Sequence, residues 1–153
     1  MLKSQFDPSN SPAWIKFAEL ESQLQDFART RAIFELAISQ SPLSMPEILW
    51  KAYIDFEVEE GERGIARALY ERLIALSAHV KVWMSYALFE AEAIPLPRAQ
   101  REDEEEEEDE DKEKEAKMVP GELALARQVF ERGYKDLKSK NLKSEVCFYT
   151  WAI

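Results

Sequence analysis

Trp50–Arg72 reads WKAYIDFEVEEGERGIARALYER: an aromatic helix, a Glu-Gly-Glu turn and a second helix that opens Ala-Arg. Both halves of this pattern recur on either side of it. Trp14-x-x-Phe17-x-x-Leu20-Glu21, Trp50-x-x-Tyr53-x-x-Phe56-Glu57 and Trp83-x-x-Tyr86-x-x-Phe89-Glu90 share one spacing. Arg31-x-Ile33-Phe34-Glu35, Arg67-x-Leu69-Tyr70-Glu71 and Arg127-x-Val129-Phe130-Glu131 share another. Trp14 to Trp50 is 36 residues and Trp50 to Trp83 is 33. Self-similarity at a period in the thirties signals stacked two-helix units, so the sequence predicts an all-α fold, a helical-repeat solenoid or α-α superhelix.

A helical wheel shows why such units must stack. With Trp50 at 0° and about 100° per residue, Ile54 falls near 40°, Tyr53 near 300° and Phe56 near 240°, while Lys51 and Asp55 face away. The apolar arc is about 160° wide, beyond the roughly 100° stripe of an ordinary surface helix. One partner helix cannot cover it, and the excess is expected to meet the next unit.

The breakers divide the chain. Residues 1–12 read as a polar lead-in, with Ser11 as N-cap and Pro12 at the first helical position. Residues 13–41 and 46–78 form the first two helix pairs, Gly61 making the turn in the second. Residues 80–142 form a third pair, and 143–153 begin a further helix in which Trp151 takes the tryptophan position. The third pair is interrupted. Trp14 to Arg31 and Trp50 to Arg67 are both 17 residues, whereas Trp83 to Arg127 is 44, a difference of 27. Gly61-Glu62-x-x-Ile65-Ala66-Arg67 reappears as Gly121-Glu122-x-x-Leu125-Ala126-Arg127, so the insertion occupies about residues 94–120.

That insertion carries the charge. The 153 residues have a net charge of -10, and residues 102–115 hold twelve acidic residues and two lysines. The remainder is 18 acidic against 18 basic, which is neutral. Like charges at this density resist collapse, so the insert is expected to be disordered, in preference to a helix over 106–118. Cys147 is the only cysteine, which excludes an internal disulfide and favours a reducing compartment. The N-terminal residues lack the apolar core of a signal peptide, and no apolar run approaches the roughly 20 residues of a membrane span. The chain therefore reads as soluble and intracellular.

Trp-x-x-aromatic-x-x-apolar-Glu followed by Ala-Arg-x-apolar-aromatic-Glu-Arg resembles the HAT (half-a-TPR) repeat; the Leu-Gly and small alanines of the ordinary tetratricopeptide unit are missing. AWIKFAELE (13–21), RTRAIFELAISQ (29–40), WKAYIDFEVEEGE (50–62), ARALYERLI (66–74) and HVKVWMSYALFE (79–90) are similar to the C-terminal HAT repeats of crooked-neck-type pre-mRNA splicing factors. The likeness covers residues 13–137, and VCFYTWAI at 146–153 only partly follows the family pattern. It implies a non-catalytic scaffold of the spliceosome, in the nucleus, holding nineteen-complex members and other HAT-repeat and Myb-domain splicing factors during assembly and activation. The alternative is a HAT module of another RNA-processing complex, such as mRNA 3′-end formation, that touches RNA.

Each recurring residue has two readings. Trp14, Trp50 and Trp83 suit hot-spot anchors, but their recurrence beside Phe17, Tyr53 and Tyr86 favours core packing. Arg31, Arg67 and Arg127 suit a phosphate ladder, but a guanidinium fork at one place in every unit favours internal contacts with Glu21, Glu57 and Glu90 or with helix-end carbonyls. The acidic run suits a basic partner, but a solvated spacer is favoured, and it would repel RNA. Lys135, Lys138, Lys140 and Lys143 form the one basic cluster. His79 is the only histidine, and no CxxC, HExxH, GxSxG or P-loop occurs. No catalytic, metal or cofactor site is expected.

Overall fold

The computed structural model describes residues 7–95, 97 and 118–139. Among these, six helices run in order: α1 (Ser11–Gln23), α2 (Phe27–Ile38), α3 (Pro46–Glu59), α4 (Arg63–Leu76), α5 (Val80–Ala91) and α6 (Leu123–Ser139). Two strands of two residues, β1 (Ile94–Pro95) and β2 (Met118–Val119), lie between α5 and α6. The acidic run at 102–115 and the further helix expected at 143–153 fall outside the described residues. No described helix is long and apolar enough to cross a membrane. The chain divides into two compact units, Met1–Phe56 and Glu57–Ile153, with the division inside α3.

In the first unit α1 packs on α2. Asn10, not Ser11, caps α1: its side chain accepts from the Ala13 amide, and Ser11 and Pro12 lie within the first turn. Ser11 is instead fully buried, its hydroxyl donating to the Ser44 carbonyl, while the Ser44 amide donates to the Ser9 carbonyl at 2.8 Å. The Trp14 indole donates to the Pro8 carbonyl at 3.0 Å. Residues 8–11, expected to be loose, are thus pinned to the α2–α3 connection and to the first tryptophan.

The turns within the first two helix pairs, α1 to α2 and α3 to α4, are Schellman caps. At the end of α1, the Gln25 amide bonds the Ser22 carbonyl and the Asp26 amide bonds the Glu21 carbonyl. At the end of α3, Gly61 bonds Val58 and Glu62 bonds Glu57 in the same register. The motif needs a left-handed residue, which Gly61 supplies at φ 77° and Gln25 adopts at φ 61°. Asp26 then caps α2 through the Arg29 amide.

In the second unit the longer bond of that cap is made across the insertion. The Glu122 amide bonds the Glu90 carbonyl at 2.6 Å, and the Ala126 amide bonds Glu122, as Ala66 bonds Glu62 and Thr30 bonds Asp26. The bond that joins residues five apart in the first two turns here joins residues 32 apart, an excess of the 27 residues counted from the sequence. The ends of the insert are not loose: β1 and β2 pair antiparallel, Ile94 opposite Val119 and Pro95 opposite Met118. α5 ends at Ala91, three residues before this pairing begins.

α6 then packs on α5 so closely that a Cβ on Gly133 would lie 2.8 Å from the Trp83 ring. The three tryptophans are buried, and so are Leu49, Tyr53, Ile54 and Phe56, whereas Lys51 and Asp55 form an exposed ion pair at 2.6 Å. Phe17 departs from the expected core position and is 42% exposed.

A Cβ at Gly121 would sit 2.1 Å from the Ala91 carbonyl oxygen, a clash with backbone that no side-chain rotation relieves. Gly121→Ala is therefore expected to destabilise the protein by about 1–3 kcal/mol, the usual range for overpacking. Deleting residues 103–114 is expected to shift stability by less than about 1 kcal/mol, because loop length enters logarithmically. Urea melts of the two variants beside wild type check both, and the deletion proving the costlier change would contradict the closed stem.

Candidate functional site

The helix faces that carry the recurring residues meet in one repeated seam. In the first unit, Phe34 of α2 stacks on Tyr53 of α3, with centroids 4.8 Å apart and planes within 9°, and lies tilted on Phe56 at 5.9 Å. In the second, Tyr70 of α4 stacks on Tyr86 of α5 at 4.9 Å and 9°, and lies tilted on Phe89 at 5.5 Å. Offset aromatic pairs of this kind add about 0.5–1.5 kcal/mol beyond the area they bury. Two turns earlier on the donor helix, Phe27 covers Phe56 at 6.1 Å, and Arg63 covers Phe89 with its guanidinium at 5.0 Å. Arg31 lies 5.8 Å over Phe56.

Polar groups fix the register of this apolar contact. The Tyr53 hydroxyl donates to Glu35 at 3.1 Å, and the Tyr86 hydroxyl donates to Glu71 at the equivalent place. Arg67 grips Glu90 with two bonds, Nε to Oε1 at 2.6 Å and Nη2 to Oε2 at 2.8 Å. Arg63 reaches the same carboxylate at 3.5 Å, and caps α5 through the carbonyls of Phe89 and Glu92 at 3.2 and 2.7 Å. Glu90 is 1% exposed, so two guanidiniums neutralise a carboxylate that water does not reach. The bond to Glu90 raises the Arg67 pKa above its usual value.

A second charged cluster anchors α6. Arg132 holds Glu71 through Nη1 and Nη2 at 2.8 and 2.9 Å, and its guanidinium lies 5.6 Å over the Trp83 ring. These bonds hold the Glu71 carboxyl below its ordinary range. Burial, followed by the Glu71 charge, pushes the Tyr86 phenol up to about 12. The Trp83 indole N–H is buried with no hydrogen-bond partner among the described residues.

The recurring residues thus occupy different positions. Trp14, Trp50 and Trp83 are buried, as are Glu21, Glu57 and Glu90. Tyr53 and Tyr86 lie in the seam, but Phe17, at their register position, lies on the surface. Arg67 bonds the glutamate of the helix that follows its own pair, and Glu21 takes Arg29 at 3.4 Å. Arg127 is exposed and makes no ion pair among the described residues. The sequence reading missed Arg63 and Arg132, because Phe27 stands at the position of Arg63 and the residue after Glu35 is Leu36. Only the doubled Glu-Arg of Glu71-Arg72 and Glu131-Arg132 hinted at the second.

Comparison with known proteins finds relatives of this chain. Residues 7–129 match the family model described as Pre-mRNA-splicing factor Syf1/CRNKL1 C-terminal HAT repeat. The chain is 54% identical over 140 residues to Pre-mRNA-splicing factor clf-1 of Neurospora crassa, covering 92% of this chain and 19% of the relative. It is 59% identical over 86 residues to Crooked neck-like protein 1 of Homo sapiens, covering 56% of this chain and 10% of the relative. It is 40% identical over 140 residues to Pre-mRNA-splicing factor cwf4 of Schizosaccharomyces pombe, covering 92% and 19%. The chain spans about a fifth of the length of the curated relatives that it matches over most of its own length.

Arg67→Leu leaves Glu90 buried with only the longer Arg63 contact, and should cost about 3 kcal/mol, the low end for breaking a buried pair. Removing both charges in Arg67→Leu/Glu90→Leu should recover most of that loss, and a double variant as weak as the sum of the singles would argue against coupling. The Tyr86 phenol titrates higher in the folded chain than unfolded. The stability it contributes is complete below about pH 10 and is lost as pH rises toward 12. Urea melts between pH 9 and 11.5 should show wild type losing up to about 2 kcal/mol more than Tyr86→Phe across that window.

Proposed function

Since the chain belongs to the Syf1/CRNKL1 C-terminal HAT-repeat family, we propose that it is a non-catalytic scaffold segment of a spliceosome component, acting in pre-mRNA splicing in the nucleus. HAT repeats stack into an α-α superhelix, and such solenoids work by presenting extended surfaces to protein partners. Its partners would be other spliceosomal proteins, among them nineteen-complex members and HAT-repeat and Myb-domain factors, gathered during assembly and activation.

One observation carries this reading: 54% identity along 92% of the chain to a pre-mRNA-splicing factor. The chemistry of the seam supports it. Of the arginines that repeat along the sequence, Arg67 is committed to Glu90 and so is not free for phosphate, and Arg132, outside that series, is committed to Glu71. Outside residues 102–115 the charges cancel, and those residues add -10. Non-specific affinity for nucleic acid comes mainly from neutralising phosphates, which this balance does not favour.

Affinity purification of the tagged chain from nuclear extract, read by mass spectrometry and RNA sequencing, tests the proposal. Splicing factors and small nuclear RNAs are the expected companions, and recovery of cleavage-factor subunits in their place would overturn it. Titration with labelled single-stranded and duplex RNA at about 0.15 M salt should show no sub-micromolar binding. Tight binding that falls when Lys138 and Lys140 are neutralised would move the protein to the class of direct RNA binders.

A further inference from the structure

Two connections of the first unit are joined largely through one serine. The segment before α1 and the segment before α3 form a parallel bridge at Asn10 and Ser44. The Ser44 hydroxyl donates to the Ser9 carbonyl at 2.7 Å and accepts from the Ser11 amide at 3.4 Å. The Ser44 amide donates to the same Ser9 carbonyl at 2.8 Å, and the Ser44 carbonyl accepts the Ser11 hydroxyl. Ser11 is fully buried, but Ser44 is exposed. The surface hydroxyl of Ser44 therefore belongs to a clip whose other half lies inside.

The surrounding sequence is as distinctive as the geometry. Ser44-Met45-Pro46-Glu47 places a carboxylate three positions after the serine, the spacing that acid-directed serine kinases select. Among the described residues no other serine or threonine has one there. Ser44 also lies in the connection between Ile38, where α2 ends, and Pro46, where α3 begins, and not within a helix. A connection can take up the extended form in which a kinase receives its substrate.

We propose that Ser44 is a phosphorylation site for an acid-directed serine kinase, and that the phosphate unfastens the segment before α1 from the connection before α3. In the transfer, the Ser44 Oγ attacks the γ-phosphorus of ATP. The new Oγ–P bond forms as the bond to the bridging oxygen breaks, ADP leaves, and the hydroxyl proton passes to the kinase's catalytic carboxylate. The product cannot donate to the Ser9 carbonyl as the hydroxyl did, and it brings a charge of about −1.5 to −2. Nothing nearby along the chain offsets that charge. Residues 7–13 and 39–47 contain no lysine or arginine, and their charged residues are Asp7 and Glu47. The Asp7 carboxylate already holds the Ser9 amide and hydroxyl at 2.9 and 2.7 Å, so the phosphate would enter beside an anion. Lys16, on the next turn of α1, is paired with Glu19. The start of α3 offers little in return, because Pro46 has no N–H and the Ile48 amide bonds the Met45 carbonyl at 3.3 Å. Loss of the donor and like-charge repulsion act in the same direction. The inference does not rest on the assignment of the chain to splicing.

The test is to incubate the whole folded chain with purified casein kinase II, an acid-directed enzyme, and ATP. Tandem mass spectrometry then locates the phosphate, and hydrogen–deuterium exchange follows the backbone. Phosphate is expected on Ser44, and is expected to be absent from that peptide in Ser44→Ala and in Glu47→Gln. The Ser11 and Ser44 amides, which bond across the clip, should exchange about tenfold faster in the phosphorylated chain, the change that losing one hydrogen bond brings. Ser44→Ala removes the hydroxyl without adding charge, so its exchange should lie between that of the unmodified and the phosphorylated chain. Phosphate confined to other serines or threonines would overturn the proposal. So would phosphate on Ser44 that leaves exchange unchanged, or no faster than in Ser44→Ala.

Discussion

A buried glutamate at the end of each first helix ties the turn, the capping and the stacking together. In α5 it is Glu90. Its backbone carbonyl accepts the Glu122 amide, and its carboxylate takes the Arg63 and Arg67 guanidiniums of the preceding helix. One residue thus fixes where its helix ends and which helix lies beside it. A carboxylate with almost no solvent exposure is costly alone, and arginine is suited to the site because its planar fork satisfies both oxygens at once. The aromatic stack of Tyr70 on Tyr86 supplies area, and the ion pair supplies register.

The insertion illustrates the same constraint. Twenty-seven extra residues enter between α5 and α6, yet the bond to the Glu90 carbonyl is preserved, made by Glu122 in place of a residue five positions on. Gly121 permits this because its hydrogen leaves room where any side chain would strike the Ala91 carbonyl. The short β1–β2 ladder draws the two ends of the insert together, and Arg132, reaching back to Glu71 while lying over Trp83, holds the helix that resumes. A long, acidic segment is accommodated without disturbing the seam, since closing a longer loop adds little free energy.

Polar contacts also set the limits on function. The arginines and glutamates that a reader of the sequence would first assign to ligands are largely spent on holding helices together.

The periodicity alone determined the helical repeats, the length of the insertion and the burial of Trp50, Tyr53 and Phe56, because a 36-residue spacing and a 160° apolar arc are local properties that survive without coordinates. The Trp-x-x-aromatic-x-x-apolar-Glu and Ala-Arg-x-apolar-aromatic-Glu-Arg strings carried the family likeness that the comparisons then showed. Tertiary structure alone decided three other matters. Arg67 bonds Glu90 and not the glutamate of its own pair, a choice between chemically equivalent carboxylates that spacing leaves open. Ser11 is a buried clip to Ser44 and leaves the capping to Asn10, because which of two adjacent polar residues turns inward depends on a loop 33 residues away. Phe17 lies on the surface although its equivalents are buried, because burial belongs to the neighbour that covers a side chain, and no pattern within α1 states whether that neighbour is present.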